Sequence, residues 1–379
     1  MRRPIDIVYN MTSVCPHDCA LCCVDATQVT RKGDYVHIRT KGLSTEQLVR
    51  QQKSSESIYE TAARVLQGCD LELSLEQKLR VIEHIDVDYV RLDISGGDPL
   101  LITDNFRVLK SASAKLGRNN ITVTATGAGM ARIDPSELVS LMCEFNFTYD
   151  CASIDEVADR PRTYASRNLA LGRELAKLGV ATRAEFPVTR ATSAPDHVER
   201  LYMNLHEAGI HKLLLMRLFT VGRGHVAAGK IPTAEEYWTV IAQLRALESE
   251  FGLPKVKLQC ALRHIEGRPA DAVVNPCDFV RESFGLTPRG VLLASPWAIN
   301  HHGEPLDEAF VLGNLVETPL SAILNSPRVN EIRDRANENF GHCKIFAWQF
   351  SKRGSSFERL FDKTDPLYAS RFAESAAVE

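Results

Sequence analysis

Cys15, Cys19 and Cys22 stand in Cys15-Pro-His-Asp-Cys19-Ala-Leu-Cys22, with three and then two residues between them. Three thiolates this close on one loop can ligate three irons of a cubane cluster and leave the fourth iron without a protein ligand. An open metal position is what coordination of a cofactor or substrate requires, as in catalytic zinc sites. A structural zinc loop closed by His17 or Cys23 is the alternative use of the same donors. A second group follows at Ser95-Gly96-Gly97-Asp98-Pro99. Its two glycines would let a ligand approach the main chain, and the backbone groups with the Asp98 carboxylate suit a cationic amine. Taken alone, Gly-Gly-Asp is also an ordinary turn.

Such groups need elements that hold them at one edge of a sheet. From residue 5 to about 225, short apolar runs alternate with amphipathic stretches, the pattern of repeated strand-helix units around a parallel sheet. The spacing predicts strands over 5–11, 89–94, 121–126, 147–154, 182–188 and 212–219. Helices are predicted over 75–84, 135–144, 164–178 and 198–208, among others. Six units make a partial barrel rather than a closed one of eight. Residues 24–72 interrupt the rhythm as an inserted, lid-like segment. Within it Ser44 and Gln47 read as a helix cap, with Leu48, Ile58, Ala62 and Leu66 on one apolar face. A linker helix follows at 234–250, and Leu286 to Ala294 reads as a hairpin around Pro288-Arg289-Gly290. The expected division is a barrel over 1–230, a linker over 231–254, a small α+β domain over 255–350 and a tail over 351–379, polar from Asp365 onward.

Composition sets the class. Hydrophobic residues at 44% and charged residues at 25% are those of an ordinary globular protein. A net charge of −3 provides no basic field for nucleic acid, which is therefore not expected as a partner. No run approaches the roughly 20 apolar residues of a membrane span, and the N-terminus lacks a signal-peptide core, so a cytoplasmic location is expected. Ten cysteines without an export signal argue for metal or redox chemistry over disulfides. Cys69, Cys143, Cys151, Cys260, Cys277 and Cys343 are scattered, and scattered cysteines are commonly small buried hydrophobes.

The cysteine loop, directly after a first strand, resembles the signature of the radical S-adenosylmethionine superfamily, three cysteines spaced x3 and x2 in the first strand-to-helix loop of a partial TIM barrel. Leu21 stands where that signature usually has an aromatic residue. Gly96-Gly97-Asp98 is similar to the superfamily's Gly-Gly-Glu motif, which binds the amino group of the methionyl moiety, with Asp98 in place of Glu. Ser153 and Asp155 match the fourth-strand position where a serine meets the cofactor, and Arg183 matches a fifth-strand arginine that pairs with its carboxylate. Val221-Gly222-Arg223-Gly224 resembles a turn common in the SPASM/Twitch subgroup. So does the spacing of Cys277, Gly290 and Ser295, where the auxiliary-cluster domain would have a second cysteine at 295. Gly313-Asn314-Leu315 and the helix-like stretch after it continue the likeness. With Cys260, Cys277 and Cys343 as the available thiolates, four cysteine ligands are not present. The expectation is a cluster-free remnant, and the alternative is a second Fe–S cluster completed by His264, His301, His302 or His342.

The resemblance implies an α/β fold, a partial (β/α)6 TIM-like barrel with a small C-terminal SPASM/Twitch-like domain. It implies two cofactors, a [4Fe–4S] cluster on Cys15, Cys19 and Cys22 and S-adenosyl-L-methionine. It further implies a flavodoxin- or ferredoxin-type reductant, cleavage of the cofactor to a 5′-deoxyadenosyl radical, and abstraction of hydrogen from a substrate C–H bond. Relatives of this type modify ribosomal peptides or small natural products and cofactor precursors, and a peptide substrate is the expectation here. A metal-stabilised binding protein without catalysis is the reading from another class.

Overall fold

The computed structural model describes residues 4–40, 45–51, 55–152, 160–161, 163–266 and 275–369. Its strands are β1 (Ile5–Thr12), β2 (Val14–Cys15), β3 (Thr27–Lys32), β4 (Tyr35–Thr40), β5 (Thr45–Arg50), β6 (Val90–Gly96) and β7 (Ile121–Thr124). They continue with β8 (Glu144–Thr148), β9 (Ala181–Pro187), β10 (Lys212–Met216), β11 (Lys255–Leu258), β12 (Ser283–Leu286), β13 (Val291–Leu293) and β14 (Val311–Asn314). The helices used below are α1 (Ile58–Gly68), α2 (Leu75–Glu83), α3 (Thr103–Leu116), α4 (Pro135–Leu141), α5 (Tyr164–Lys177), α6 (Pro195–Glu207), α7 (Ala234–Phe251), α8 (Leu320–Leu324), α9 (Pro327–Arg335) and α10 (Lys344–Phe350).

One ten-stranded sheet runs β11-β10-β9-β8-β7-β6-β1-β12-β13-β14. Its ladder is parallel from β11 through to β12 and antiparallel from β12 to β14. The six expected strands form the partial barrel, with β11 added beside β10 and β12 beside β1. Period-two alternation explains why these segments are strands. In β1, Ile5, Ile7, Tyr9 and Met11 are buried and join a core with Val81 and Ile82 of α2 and Val108 and Leu109 of α3. Asp6, Val8 and Asn10, on the other face, line the space inside the curved sheet. The hairpin expected around Gly290 is present as β12 and β13, with Gly290 at φ +78°, where a side chain would be strained.

Three expectations change. The strand placed at 147–154 is β8, earlier in the chain, and α4 stops at Leu141 instead of running to 144. The sequence Glu-Phe-Asn-Phe alternates by two, so Phe145 and Phe147 go into the core while Glu144 and Asn146 take the opposite face. The inserted segment is not helical over 45–50, and Ser44 itself lies outside the described residues. It is a small sheet in the order β2-β3-β4-β5, with Leu48 exposed on β5, and the helix is α1. Ser57 and Glu60 form its capping box, worth about 1 kcal/mol. Third, the chain beyond 351 is not wholly a tail: Asp365 and Leu367 are buried against the fold. No helix of the described residues is long and apolar enough to cross a membrane.

Candidate active site

Because β1 and β6 are parallel neighbours, the cysteine loop that leaves β1 and the Gly-Gly-Asp turn that leaves β6 emerge at the same edge of the sheet. Backbone hydrogen bonds join them directly. The Gly97 N–H donates to Thr12 O and the Asp98 N–H to Val14 O, both at 2.8 Å. The two glycines are there for this contact. A Cβ on Gly96 would lie 2.2 Å from Thr12 O, and one on Gly97 would lie 2.2 Å from Val14 O. What approaches the glycines so closely is therefore the chain's own backbone just before Cys15, where the sequence had suggested a ligand. Gly97→Ala should cost at least about 2–3 kcal/mol, since backbone cannot yield as a side chain does. A melting temperature equal to that of the unaltered protein would show that the turn can separate from the loop.

A buried network sequence reasoning did not find supports this junction. The Thr12 hydroxyl donates to Glu72 at 2.7 Å, Glu72 pairs with Lys78 at 2.7 Å, Lys78 donates to Asn105 at 2.8 Å, and Asn105 donates to Pro99 O at 2.9 Å. These side chains come from α2, α3 and the chain before them. The sequence signal was a lysine on the apolar side of a helix beside an acidic residue.

The cysteines themselves are tied down from both ends of the barrel. Cys15 ends β2, is buried, and pairs with Gln28 of β3. The Cys22 N–H donates to Cys19 O at 3.3 Å, and Cys22 Sγ accepts the Ala26 N–H at 3.2 Å. From after β10, the Arg223 and Gly224 N–H groups both donate to Cys22 O, at 2.9 and 3.3 Å, and the Arg223 guanidinium donates to Ala26 O at 2.6 Å. Gly222 has φ +57° and leaves no room for a Cβ, which would meet Cys23 O at 2.3 Å. The Gly-Arg-Gly turn is thus the clamp of the cysteine loop.

Burial pushes the Cys15 thiol well above its ordinary value, and the neighbouring Cys22, Asp98 and Cys19 add to the shift. Burial raises Cys19 too, opposed by the Arg160 guanidinium beside it. Arg160, which the sequence reading passed over, donates to Asp150 at 2.7 Å and lies 5.4 Å from the Tyr164 ring. Among the described residues, no three Cys, His, Asp or Glu side chains converge on a single ion. Three thiolates of a cubane bind three different irons and need not share one.

Asp98 is fully buried. Its Oδ2 accepts the Thr126 hydroxyl and, at 3.1 Å, the Gly129 N–H, while Oδ1 is buried with no hydrogen-bond partner among the described residues. Arg183 lies elsewhere. It sits near the start of β9, inside the barrel, and pairs with Glu185 at 3.0 Å and Glu144 at 3.4 Å. Cofactors of such barrels bind at the opposite, carboxyl ends of the strands, so Arg183 is an ion-pair residue of the interior and not at the expected carboxylate site. Ser153 and Asp155 lie outside the described residues.

Burial pushes up both the Cys260 and the Cys343 thiols, the latter to about 12, with Asp278 adding to the first shift and Asp365 to the second. Lys344, at the start of α10, is buried beside them; its ammonium donates only to the carbonyls of Asn339 and His342, both at 3.4 Å. Burial pulls that ammonium below its ordinary value and Cys277 and Cys343 push it back. His342 is held at about 4, by burial first, and Ser295 is buried with its hydroxyl accepting the Trp297 N–H.

No family model and no functionally curated protein matches the sequence. Solved structures do. Streptococcus suis SuiB bound to S-adenosylmethionine is 12% identical with a TM-score of 0.61, over 96% of this chain and 77% of that one. SuiB bound to precursor peptide SuiA gives 12% and 0.59, over 88% and 67%. Native anSMEcpe with bound AdoMet and Cp18Cys peptide gives 11% and 0.56, over 99% of each chain. At these identities the likeness is one of architecture: the chain has the fold of SuiB and anSMEcpe.

Proposed function

We propose that this chain is a radical S-adenosylmethionine enzyme that modifies a ribosomal peptide. The observation that carries the reading is the direct backbone lock between the cysteine loop and the Gly-Gly-Asp turn. It joins the loop of three thiols to the turn of the carboxylate at one edge of the barrel, beside an open pocket of about 640 Å³ that Cys23, Asn10 and Ser95 line.

Cys15, Cys19 and Cys22 would hold the cubane cluster, and the bound cluster with S-adenosylmethionine would supply the 5′-deoxyadenosyl radical. Asp98 fits the cofactor's ammonium. One of its oxygens is fixed by Thr126 and Gly129, and the other is a buried acceptor without a donor, a position that a charged N–H would satisfy. Cys23 opens onto the cavity instead, and its thiol is pushed up to about 12, mainly by burial. The barrel's task is to hold a substrate C–H bond near the radical carbon and to keep water and other hydrogen donors away. A peptide is favoured because SuiB and anSMEcpe, which share the fold, are both seen with peptides.

In place of the expected cluster-free remnant, we further infer that Cys260, Cys277 and Cys343, with a fourth ligand that is not a cysteine of this group, hold a second cluster. Lys344 supports it: among the described residues its buried ammonium has two long carbonyl contacts and no carboxylate within ion-pair distance, and a thiolate-ligated cluster would provide an anion. The test of the main reading is formation of 5′-deoxyadenosine by anaerobically reconstituted protein given S-adenosylmethionine and a chemical reductant. Protein that carries iron yet leaves the cofactor intact would overturn it.

A further inference from the structure

One carboxylate inside the barrel has no cation within ion-pair distance among the described residues. Of the charged side chains that line the cavity, Asp6 pairs with Arg91 at 2.8 Å, Glu185 with Arg183 at 3.0 Å, Glu248 with Arg245 at 2.8 Å and Asp278 with Arg263 at 3.1 Å. Two remain, Asp93 and Lys257, and Lys257 is exposed. Asp93 sits midway along β6, and both its oxygens accept the neutral Thr124 hydroxyl, at 2.9 and 2.8 Å. Among the described residues no lysine or arginine comes within ion-pair distance of it. Burial raises its carboxyl to about 6, with Arg183 drawing it down and Glu185 pushing it up.

A second, independent feature stands one layer higher. The ladder places Val8 opposite Asp93 and Asn10 opposite Ser95, so Asn10 lies between Asp93 and the edge where the cysteine loop begins. Asn10 is 7% exposed and lines the cavity, and its Oδ1 is buried with no hydrogen-bond partner among the described residues. Ser95, at 7%, lines it too. On this wall a carboxylate lacking a cation calls for a positively charged N–H group, and the amide oxygen near it can accept a second N–H of the same group.

The geometry points to a binding site for a substrate ammonium or guanidinium on this wall, with Asp93 as the counter-ion and Asn10 as a further acceptor. A lysine or arginine side chain of a peptide and the free amine of a small molecule share that chemistry. The inference deepens the proposed function and rests on it only for the occupant's being the substrate, since binding itself needs no cluster.

Equilibrium dialysis tests it with N-acetyl-lysine N-methylamide against N-acetyl-norleucine N-methylamide, which has the alkyl chain without the charge. The lysine derivative should bind about ten-fold tighter or more, as a charge-assisted hydrogen bond in a buried site gives. Asp93→Asn, nearly the same in shape, should erase the difference. Equal binding of the two derivatives by the unaltered protein would overturn the proposal whether or not any variant folds. So would a preference that survives in a folded Asp93→Asn protein. Agmatine and a lysine-centred pentapeptide separate the sources: tighter binding of the pentapeptide supports a peptide side chain, and tighter binding of agmatine supports a small amine. Loss of the preference with 5′-deoxyadenosine still formed would count against this site alone. A clear preference in protein that never forms 5′-deoxyadenosine would count against the enzyme reading instead.

Discussion

Replacing Cys15, Cys19 and Cys22 together by alanine should abolish 5′-deoxyadenosine formation while leaving about four irons per chain, half of about eight in the unaltered protein. The first half follows from where these thiols stand, on a loop held at the barrel edge by β3 on one side and by the Gly222–Gly224 turn on the other. The second half follows from the separate group formed by Cys260, Cys277 and Cys343 beside Lys344. Iron analysis and the spectrum of the triple variant check both. Undiminished 5′-deoxyadenosine formation would end the reading of the loop. A colourless, iron-free variant would leave the loop's role intact and make the C-terminal thiols buried hydrophobes. Cys23→Ala should keep both clusters, because that thiol faces the cavity.

Asp365→Ala should be the most destabilising single change in the C-terminal part, at about 3–5 kcal/mol. Asp365 and Arg217 are both 0% exposed in their side chains and meet through two hydrogen bonds, at 2.6 and 2.8 Å. Asp365 also accepts the Cys343 and Leu367 N–H groups, each at 3.1 Å, and Arg217 lies 3.4 Å over the Phe346 ring. Removing the carboxylate strands a buried guanidinium and two amides together. The double change Arg217→Met with Asp365→Leu should recover much of the loss, since apolar groups of similar volume need no partner. Denaturant unfolding measures both, and a single variant as stable as the double one would refute the argument. Burial alone would raise the Asp365 carboxyl, but Arg217 outweighs it and holds it below its ordinary value. With the folded value depressed, the contribution is complete above the unfolded value of about 4 and is lost as pH falls through the folded one.

How legible these features were depended on how local their causes are. The strands flanking the site could be read because each alternates by two over a few residues, as Ile5, Ile7, Tyr9 and Met11 do. The cysteine loop and the Gly-Gly-Asp turn could be read because spacing along the chain is itself the signal. The lock between them could not, for a glycine whose missing Cβ makes room for Val14 O looks the same in sequence as one that admits a ligand. Arg183 misled for a related reason. A residue on a strand is assigned to an end of it only by counting register, and Arg183 pairs with Asn146 and Lys212, early in β8–β10. The segment 24–72 misled because Ser44 and Gln47 mimic a cap while the true one, Ser57 with Glu60, lies thirteen residues on. Asp365 was taken for tail because the cation it pairs with, Arg217, lies 148 positions away.

The grip of the Gly222–Gly224 turn on the Cys22 carbonyl has a consequence for biogenesis. Arg223 and Ala26 are 197 positions apart, and closing so long a span is entropically affordable only once the intervening strands and helices have assembled. During synthesis the cysteine loop has only its local contacts, Cys15 with Gln28 of β3 and Cys22 with Cys19 and Ala26, until the turn after β10 docks. A cluster loaded onto the proposed cysteines after folding would have to reach a loop already held by the turn after β10.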